Sequence, residues 1–224
     1  MLSIAILTLC FQCSNLLADI QDHHEIVFTA IYNDAIWGRN DRGEGYSGGG
    51  SLWENAKIYI DFLQKFIKQY DIKTVVDAGC GDWECSRYID WSQVQYMGYD
   101  VVAHIIKKDK ERYGAPNISF IHGNFLTIDL PRADLLLSKH VLQHLSNEDI
   151  LKFLPQLSKY KYCLITNAVD VDTLSSENVN IVTGGGQKID LSRPPFNIFG
   201  IKILNYLAEG TMHQVFFIDN SKQK

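Results

Sequence analysis

The sequence predicts an α/β protein: a doubly wound, Rossmann-like, mostly parallel sheet that finishes in a C-terminal antiparallel hairpin. Three observations predict it. β-rich runs and helical patterns alternate between residues 73 and 167, the signature of βαβ units. The first run, "KTVVDAG", ends in a glycine turn. The tail, "ILNYLAEGTMHQVFFID", holds two apolar runs parted by "EGTM", which reads as a hairpin at the sheet edge. Five internal strands and two hairpin strands make seven.

The elements follow in order. The segment 38–51, "GRNDRGEGYSGGGS", is polar and glycine-rich, so composition predicts a mobile loop. A helix follows it, with Ser51 and Glu54 at capping-box spacing. Its apolar face is Ile58, Ile60, Phe62, Leu63, Phe66 and Ile67. "VQYMGYD" is the second strand and ends at Asp100. "VVAHIIKKDKERYG" is a helix that stops at Gly114, with Pro116 beyond. "ISFIHGN" and "ADLLLSK" are the third and fourth strands. "SNEDILKFLPQLSKY" is a helix capped by Ser146 or Asn147, which Pro155 must kink or break. "KYCLITN" is the fifth strand. No solenoid repeat and no domain boundary interrupt residues 25–220.

Of 224 residues, 46% are hydrophobic and 21% charged, which suits a globular chain with a core that needs no disulfides. The net charge of -5 argues against a general nucleic-acid or anionic-membrane binder. Cys10, Cys13, Cys80, Cys85 and Cys163 fit no paired zinc spacing; they read as small buried or half-buried thiols. The start, "MLSIAILTLCF" then "QCSNLLA" and "DIQD", resembles an export signal cut after Ala18. It lacks Lys or Arg before the apolar run, and Leu16 is large for its place before the cut. The second reading is an apolar N-terminal helix packed on a cytoplasmic protein. The run is short for a stable membrane span.

Ligands of open α/β sheets bind at the carboxyl ends of strands. The first strand offers Asp77, Gly79, Gly81 and Asp82 there. A dinucleotide loop wants glycine at the third position of G-x-G-x-x-G, where this chain has Glu84. Asp82 and Glu84 repel a pyrophosphate and suit a ligand that carries an amino group. Asp100, 23 residues after Asp77, is placed to accept hydrogen bonds from ribose hydroxyls. Asn124 is placed for an adenine edge and Phe125 for its face. Together these describe S-adenosylmethionine. The bland readings are that Asp77, Asp82 and Asp100 cap helices and that Asn124 is a turn residue.

"VVDAGCGDW", "YMGYDVV", "GNFLTIDLPRADLLLSKHVLQHLS", "RPPFN" and the upstream "IYNDAIWG…SGGGS" resemble a mostly bacterial family of class I S-adenosylmethionine-dependent methyltransferases, over about residues 27 to 218. The resemblance implies the seven-stranded methyltransferase fold in residues 51–224, with 19–50 as a lid segment and 1–18 as the signal-like piece. It implies a cofactor site of Trp37, Asp77, Gly79, Gly81, Asp82, Asp100, Val101, Asn124, Phe125 and Lys139. The chain departs from the family at Lys139-His140, where Arg-Asp is usual, and at "TGGGQK", where Gly-x-Trp is usual.

Methyl transfer needs mainly alignment, plus a base when the acceptor carries a proton. His140 and His144, after the fourth strand, are the candidate bases; His122 is the reserve, and Tyr46 and Asn167 are polar groups near the pocket. Satisfied structural histidines are the alternative, and a metal reading of H-x-x-x-H lacks the zincin glutamate. The substrate side is expected from residues 38–51 and from 169–196. The acceptor is a small molecule by elimination, with a protein acceptor second. Two other functions compete: a methyltransferase-like module without catalysis, and an NAD(P)-dependent oxidoreductase.

Overall fold

The structure, a computed structural model, describes residues 22–170 and 177–222. The signal-like segment 1–18, with Cys10 and Cys13, lies outside them. Seven strands form one sheet in the order β3-β2-β1-β4-β5-β7-β6. They are β1 (Thr74–Ala78), β2 (Gln95–Asp100), β3 (Ile118–His122), β4 (Leu135–Lys139), β5 (Tyr162–Ala168), β6 (Ile201–Ala208) and β7 (Thr211–Asp219). The first five run parallel, and β7 inserts antiparallel between β5 and β6. Order reverses at β1 and β4, so a crevice opens at their carboxyl ends. The predicted fold class is the observed one.

The central strands are buried on both faces. Val75, Val76, Leu135 and Leu136 are fully enclosed, which explains runs of apolar residues without alternation. Helix α2 (Trp53–Gln69) covers one face with Ala56, Tyr59, Ile60, Leu63, Phe66 and Ile67. Burying such side chains stabilises the fold by roughly 1.5–3 kcal/mol each. Helix α3 (Ala103–Tyr113) adds Ile106 to the same layer. Helix α4 (Asn147–Phe153) and the 3-10 turn Leu154–Lys159 cover the other face with Ile150, Phe153 and Leu157. Pro155 marks the change from α to 3-10 winding, as expected. The hairpin turn is Glu209-Gly210, with φ of 51° and 71°, the double left-handed turn that matches strand twist.

Several expectations are corrected. The Ser51–Glu54 capping box does not form: Leu52 is the cap residue, and Ser51 Oγ instead donates to the Gly48 carbonyl at 2.6 Å. Ile58 points outward. The segment 38–51 is not a free loop. Arg39 bridges Gly45, Tyr46 and residues 49–51 are buried, and Glu44 pairs with Lys108 on α3. No α-helix follows β1; the chain turns through residues 79–85 into the 3-10 helix Ser86–Tyr88. Asp77 and Asp82 therefore cap no helix. A helix absent from the sequence reading, α1 (His23–Asn33), precedes the glycine segment. Among the described residues, no helix is long and apolar enough to cross a membrane.

Candidate functional site

A pocket opens at the carboxyl ends of β1, β2 and β4, where the switch in strand order places it. Its floor is the turn after β1. Gly79 (φ 84°) and Gly81 (φ 57°) hold left-handed backbone. A Cβ on Gly79 would lie 2.5 Å from a Val141 methyl, and one on Gly81 2.3 Å from Ser47 Oγ. Asp100 fixes this turn. One carboxylate oxygen accepts Gly81 N–H at 3.0 Å and the other accepts Val102 N–H at 2.9 Å. Each oxygen keeps a second lone pair. Burial, with a smaller push from Asp82, raises the Asp100 carboxyl above the usual range, while the N–H groups of Val102, Gly81 and Val101 oppose it.

Asp77 accepts a hydrogen bond from the Tyr96 hydroxyl at 2.7 Å. Burial pushes it up to about 6, opposed by Tyr96 and by the charge of Lys139. Asp82 and Ser47 exchange hydrogen bonds: Asp82 N–H to Ser47 Oγ at 3.1 Å, and Ser47 N–H to the Asp82 carboxylate at 3.3 Å. Glu84 pairs with Arg87, and its pKa is raised by burial. Four carboxylates and one ammonium, that of Lys139, line the pocket, so its field is negative.

Lys139, at the end of β4, donates a hydrogen bond to the Gly50 carbonyl at 2.9 Å and a longer one to His140 Nδ1 at 3.4 Å, and its ammonium faces the Tyr59 ring at 5.5 Å. Burial lowers its pKa. His140 also has a left-handed φ, 58°. Its ring lies 4.3 Å from that of His213, and its Nε2 is 3.5 Å from the Tyr206 hydroxyl. Burial first, then Lys139, His213 and His144, hold its pKa well below the ordinary value. His144 donates from Nδ1 to the Gly185 carbonyl at 2.7 Å and packs against Trp37 at 4.8 Å. Burial lowers its pKa too. Both rings line the pocket, and burial favours the neutral form of each.

Every residue of the expected cofactor set lines this pocket: Trp37, Asp77, Gly79, Gly81, Asp82, Asp100, Val101, Asn124, Phe125 and Lys139. Two differ from expectation in what they do. The Asn124 amide is already engaged, donating to Asp22 at 2.8 Å and accepting Leu126 N–H at 2.9 Å, so it is also the turn residue of the bland reading. The Phe125 ring packs on Phe153 at 5.0 Å inside the core. His122 lies outside the lining, exposed and paired with Glu25. Tyr46 is buried against Gly38, and Asn167 is buried with its Oδ1 unpartnered; neither lines the pocket. From the expected substrate side, Ser47 and Ser51 line the pocket, whereas residues 177–196 do not line it and touch it through bonds of Gly184, Gly185 and Gln187 to His144 and Leu145. Residues 171–176 lie outside the described residues.

Helix α1 supplies the residues the sequence reading missed. His24, Phe28 and Tyr32 form a pocket wall. Tyr32 binds Ser47 Oγ at 2.7 Å. His24 sits between Asp22 and the Asp149 carboxylate, 3.1 Å from the latter. Burial opposes ionisation of Asp149, but bonds from Thr183, His24 and Ser146 hold it down to about 2. A signal was available: Asp22 and Glu25 have N-cap spacing, and Asp22 does accept His24 N–H at 2.9 Å.

Comparison with known proteins agrees with the geometry. Residues 75–160 match the model of a methyltransferase-domain family. An uncharacterized methyltransferase of Mycobacterium tuberculosis is 25% identical over 95 residues, 42% of this chain and 48% of that protein. The chain thus spans about half the length of the curated relatives it matches. A methyltransferase structure from Leishmania major superposes with a TM-score of 0.59 at 13% identity, covering 72% of this chain and 71% of that one. Magnesium protoporphyrin IX methyltransferase from Synechocystis, solved with bound S-adenosylhomocysteine, gives 0.55 at 11% identity, covering 75% and 84%. These likenesses show the fold.

Proposed function

We propose that this protein is a class I S-adenosylmethionine-dependent methyltransferase acting on a small molecule. The observation that carries the reading is Asp100: a buried carboxylate at the end of β2 that shapes the Gly79–Gly81 turn and keeps a lone pair on each oxygen for a ribose diol. The pocket fits the cofactor in two further respects. Its carboxylates outnumber its one ammonium, as suits a ligand bearing a sulfonium and an amino group. At Gly79 and Gly81 the space a Cβ would fill is taken by Val141 and Ser47, so these two positions stay bare backbone at the pocket floor. When bound, the cofactor supplies an activated methyl group.

The chain's own residues then bind, orient and exclude water. Asp100 and Val101 take the ribose end, with Leu126 and Phe125 beside them. Asp77, Asp82 and Gly79 take the amino-acid end. Trp37, Tyr32 and Phe28 close the pocket from α1 and the turn after it. His140 and His144 face the space left for the acceptor. A small-molecule acceptor fits because both histidines line a recessed pocket and are partly shielded by Trp37 and His213. The oxidoreductase alternative lacks support: Glu84 replaces the third glycine, and no α-helix N-terminus follows β1 to receive a pyrophosphate.

Calorimetric titration of the protein lacking residues 1–18 with S-adenosylmethionine, NAD and NADP tests this. Saturable binding of S-adenosylmethionine alone is expected. Binding of NAD or NADP instead would replace the reading, and binding of none would leave a methyltransferase fold with another use.

A further inference from the structure

The two pocket histidines are not equivalent, and their fixed partners separate them. The lysine ammonium has donors only, so its long 3.4 Å contact favours a lone pair on the His140 nitrogen that faces it. That nitrogen is Nδ1. In neutral His140 the proton is then on Nε2, next to the Tyr206 hydroxyl. A backbone carbonyl has acceptors only, so the His144 nitrogen that faces Gly185, again Nδ1, must carry the proton. Its Nε2 keeps the lone pair.

What touches that lone pair is weak. Gln143 Nε2 lies 3.4 Å from it, at the long limit of a hydrogen bond. The Gln143 amide is oriented by its oxygen, which accepts Ala168 N–H at 2.8 Å. The His144 ring is held by Gly185 at Nδ1 and by the tilted Trp37 ring beside it, and its backbone carbonyl accepts Gly184 N–H at 2.8 Å. The arrangement is that of a neutral imidazole held in one tautomer, whose basic nitrogen has a single long contact, to the Gln143 amide.

We propose that His144 takes the proton of the methyl acceptor, while His140, held by Lys139, presents an N–H and acts as a positioning residue for the glycine segment and the pocket floor. This rests on the methyltransferase reading. The acceptor is an O–H or N–H compound. Its heteroatom lone pair forms the bond to the methyl carbon, and the methyl–sulfur bonding pair returns to sulfur, leaving a neutral thioether. The acceptor's proton passes to His144 Nε2 and then to water. The positive charge thus moves from sulfonium to imidazolium and leaves with the proton.

The full chain with 15N-labelled histidine decides the tautomers by two-bond proton–nitrogen correlation at neutral pH, with His144→Gln and His140→Gln for assignment. The expected pattern is a protonated Nδ1 and bare Nε2 for His144, and the reverse for His140. The opposite pattern at either ring overturns the proposal. The wild-type protein gives a second readout that needs no variant. Diethyl pyrocarbonate attacks bare, accessible imidazole nitrogens, and peptide mass mapping locates it. His144 is expected to react and His140 to resist. With S-adenosylhomocysteine at ten times its Kd, His144 should react about tenfold more slowly. Reaction at His140 with none at His144 overturns the proposal. Saturable S-adenosylhomocysteine binding with no protection of His144 overturns the proposal, whereas no measurable binding refutes the cofactor reading on which it rests.

Discussion

The turn after β1 and the turn after β4 bound the same pocket but are built differently. The first is held by backbone. Gly81 and Val102 amides bind Asp100, which lies 19 residues after Gly81 on the neighbouring strand. The second is held by its own side chains reaching distant segments: Lys139 and His144 meet the Gly50 and Gly185 carbonyls, and His140 meets the Tyr206 and His213 side chains. A glycine turn with one carboxylate serves any ligand with a ribose. A histidine pair whose tautomers depend on remote partners can be retuned by changing those partners. The difference suggests that the β1 side carries the common cofactor and the β4 side carries what is particular to this chain.

The sharpest way to break this division is to remove α1, which covers both sides. Deleting residues 1–33 takes away His24, Phe28 and Tyr32 and their bonds to Asp149 and Ser47. We expect binding of S-adenosylhomocysteine to vanish in calorimetry, whereas deleting 1–18 leaves every described contact in place and binding intact. Next is Asp100→Asn, which weakens charge-assisted bonds to two amides and to the ligand. Ligand affinity should fall about 10–100-fold, since each such bond is worth roughly 1.5–3 kcal/mol. A change confined to the acceptor step, with affinity intact, would contradict the assignment of Asp100 to the β1 side.

Gly79→Ala comes third. Left-handed backbone costs an alanine about 1–2 kcal/mol, and the Cβ would meet Val141 at 2.5 Å. Urea unfolding should show a loss of at least about 2 kcal/mol. Asp109 on α3 offers a pH-dependent test of the acidic side. It is 1% exposed, and one of its carboxylate oxygens has no partner. Burial first, then Asp82 and Asp100, raise it to about 8, against Arg112 and Lys108. A raised carboxyl binds its proton more tightly folded than unfolded, so its contribution is present at low pH and lost as pH rises toward 8. Asp109→Asn should match the wild type only below about pH 4, the unfolded carboxyl range, and exceed it increasingly above that, by at least about 1 kcal/mol at pH 9, read from paired urea curves.

The smallest expected effect is that of Lys139→Met. Removing the ammonium lifts one of the causes that depress His140, so its NMR titration midpoint should rise. Burial is the larger cause, and the midpoint should stay below that of an exposed histidine. A midpoint that falls would show that Lys139 does not face His140 with its charge.

The same contrast explains what the sequence disclosed. The β1 side is local: a strand, two glycines and an acid at the next strand's end are visible as a pattern, and all ten expected pocket residues reach the lining. The bonds of Asn124 and Phe125 were not visible, because Asp22 and Phe153, which engage them, lie 102 and 28 residues away. The glycine segment looked mobile because composition reports local preference, while Lys139, Glu209 and His140 press on Gly49 and Gly50 from other elements. Asp22 and Glu25 mark the start of helix α1, but its apolar pattern is weak because its inner face packs mostly on the pocket and a small separate cluster.

The most direct measurement is a crystal structure with S-adenosylhomocysteine. The account predicts ligand density whose ribose hydroxyls meet both oxygens of Asp100, whose amino-acid end lies on the Gly79–Gly81 turn, and whose sulfur faces the side lined by His140 and His144. Density elsewhere on the protein, or a ribose that does not touch Asp100, would contradict it.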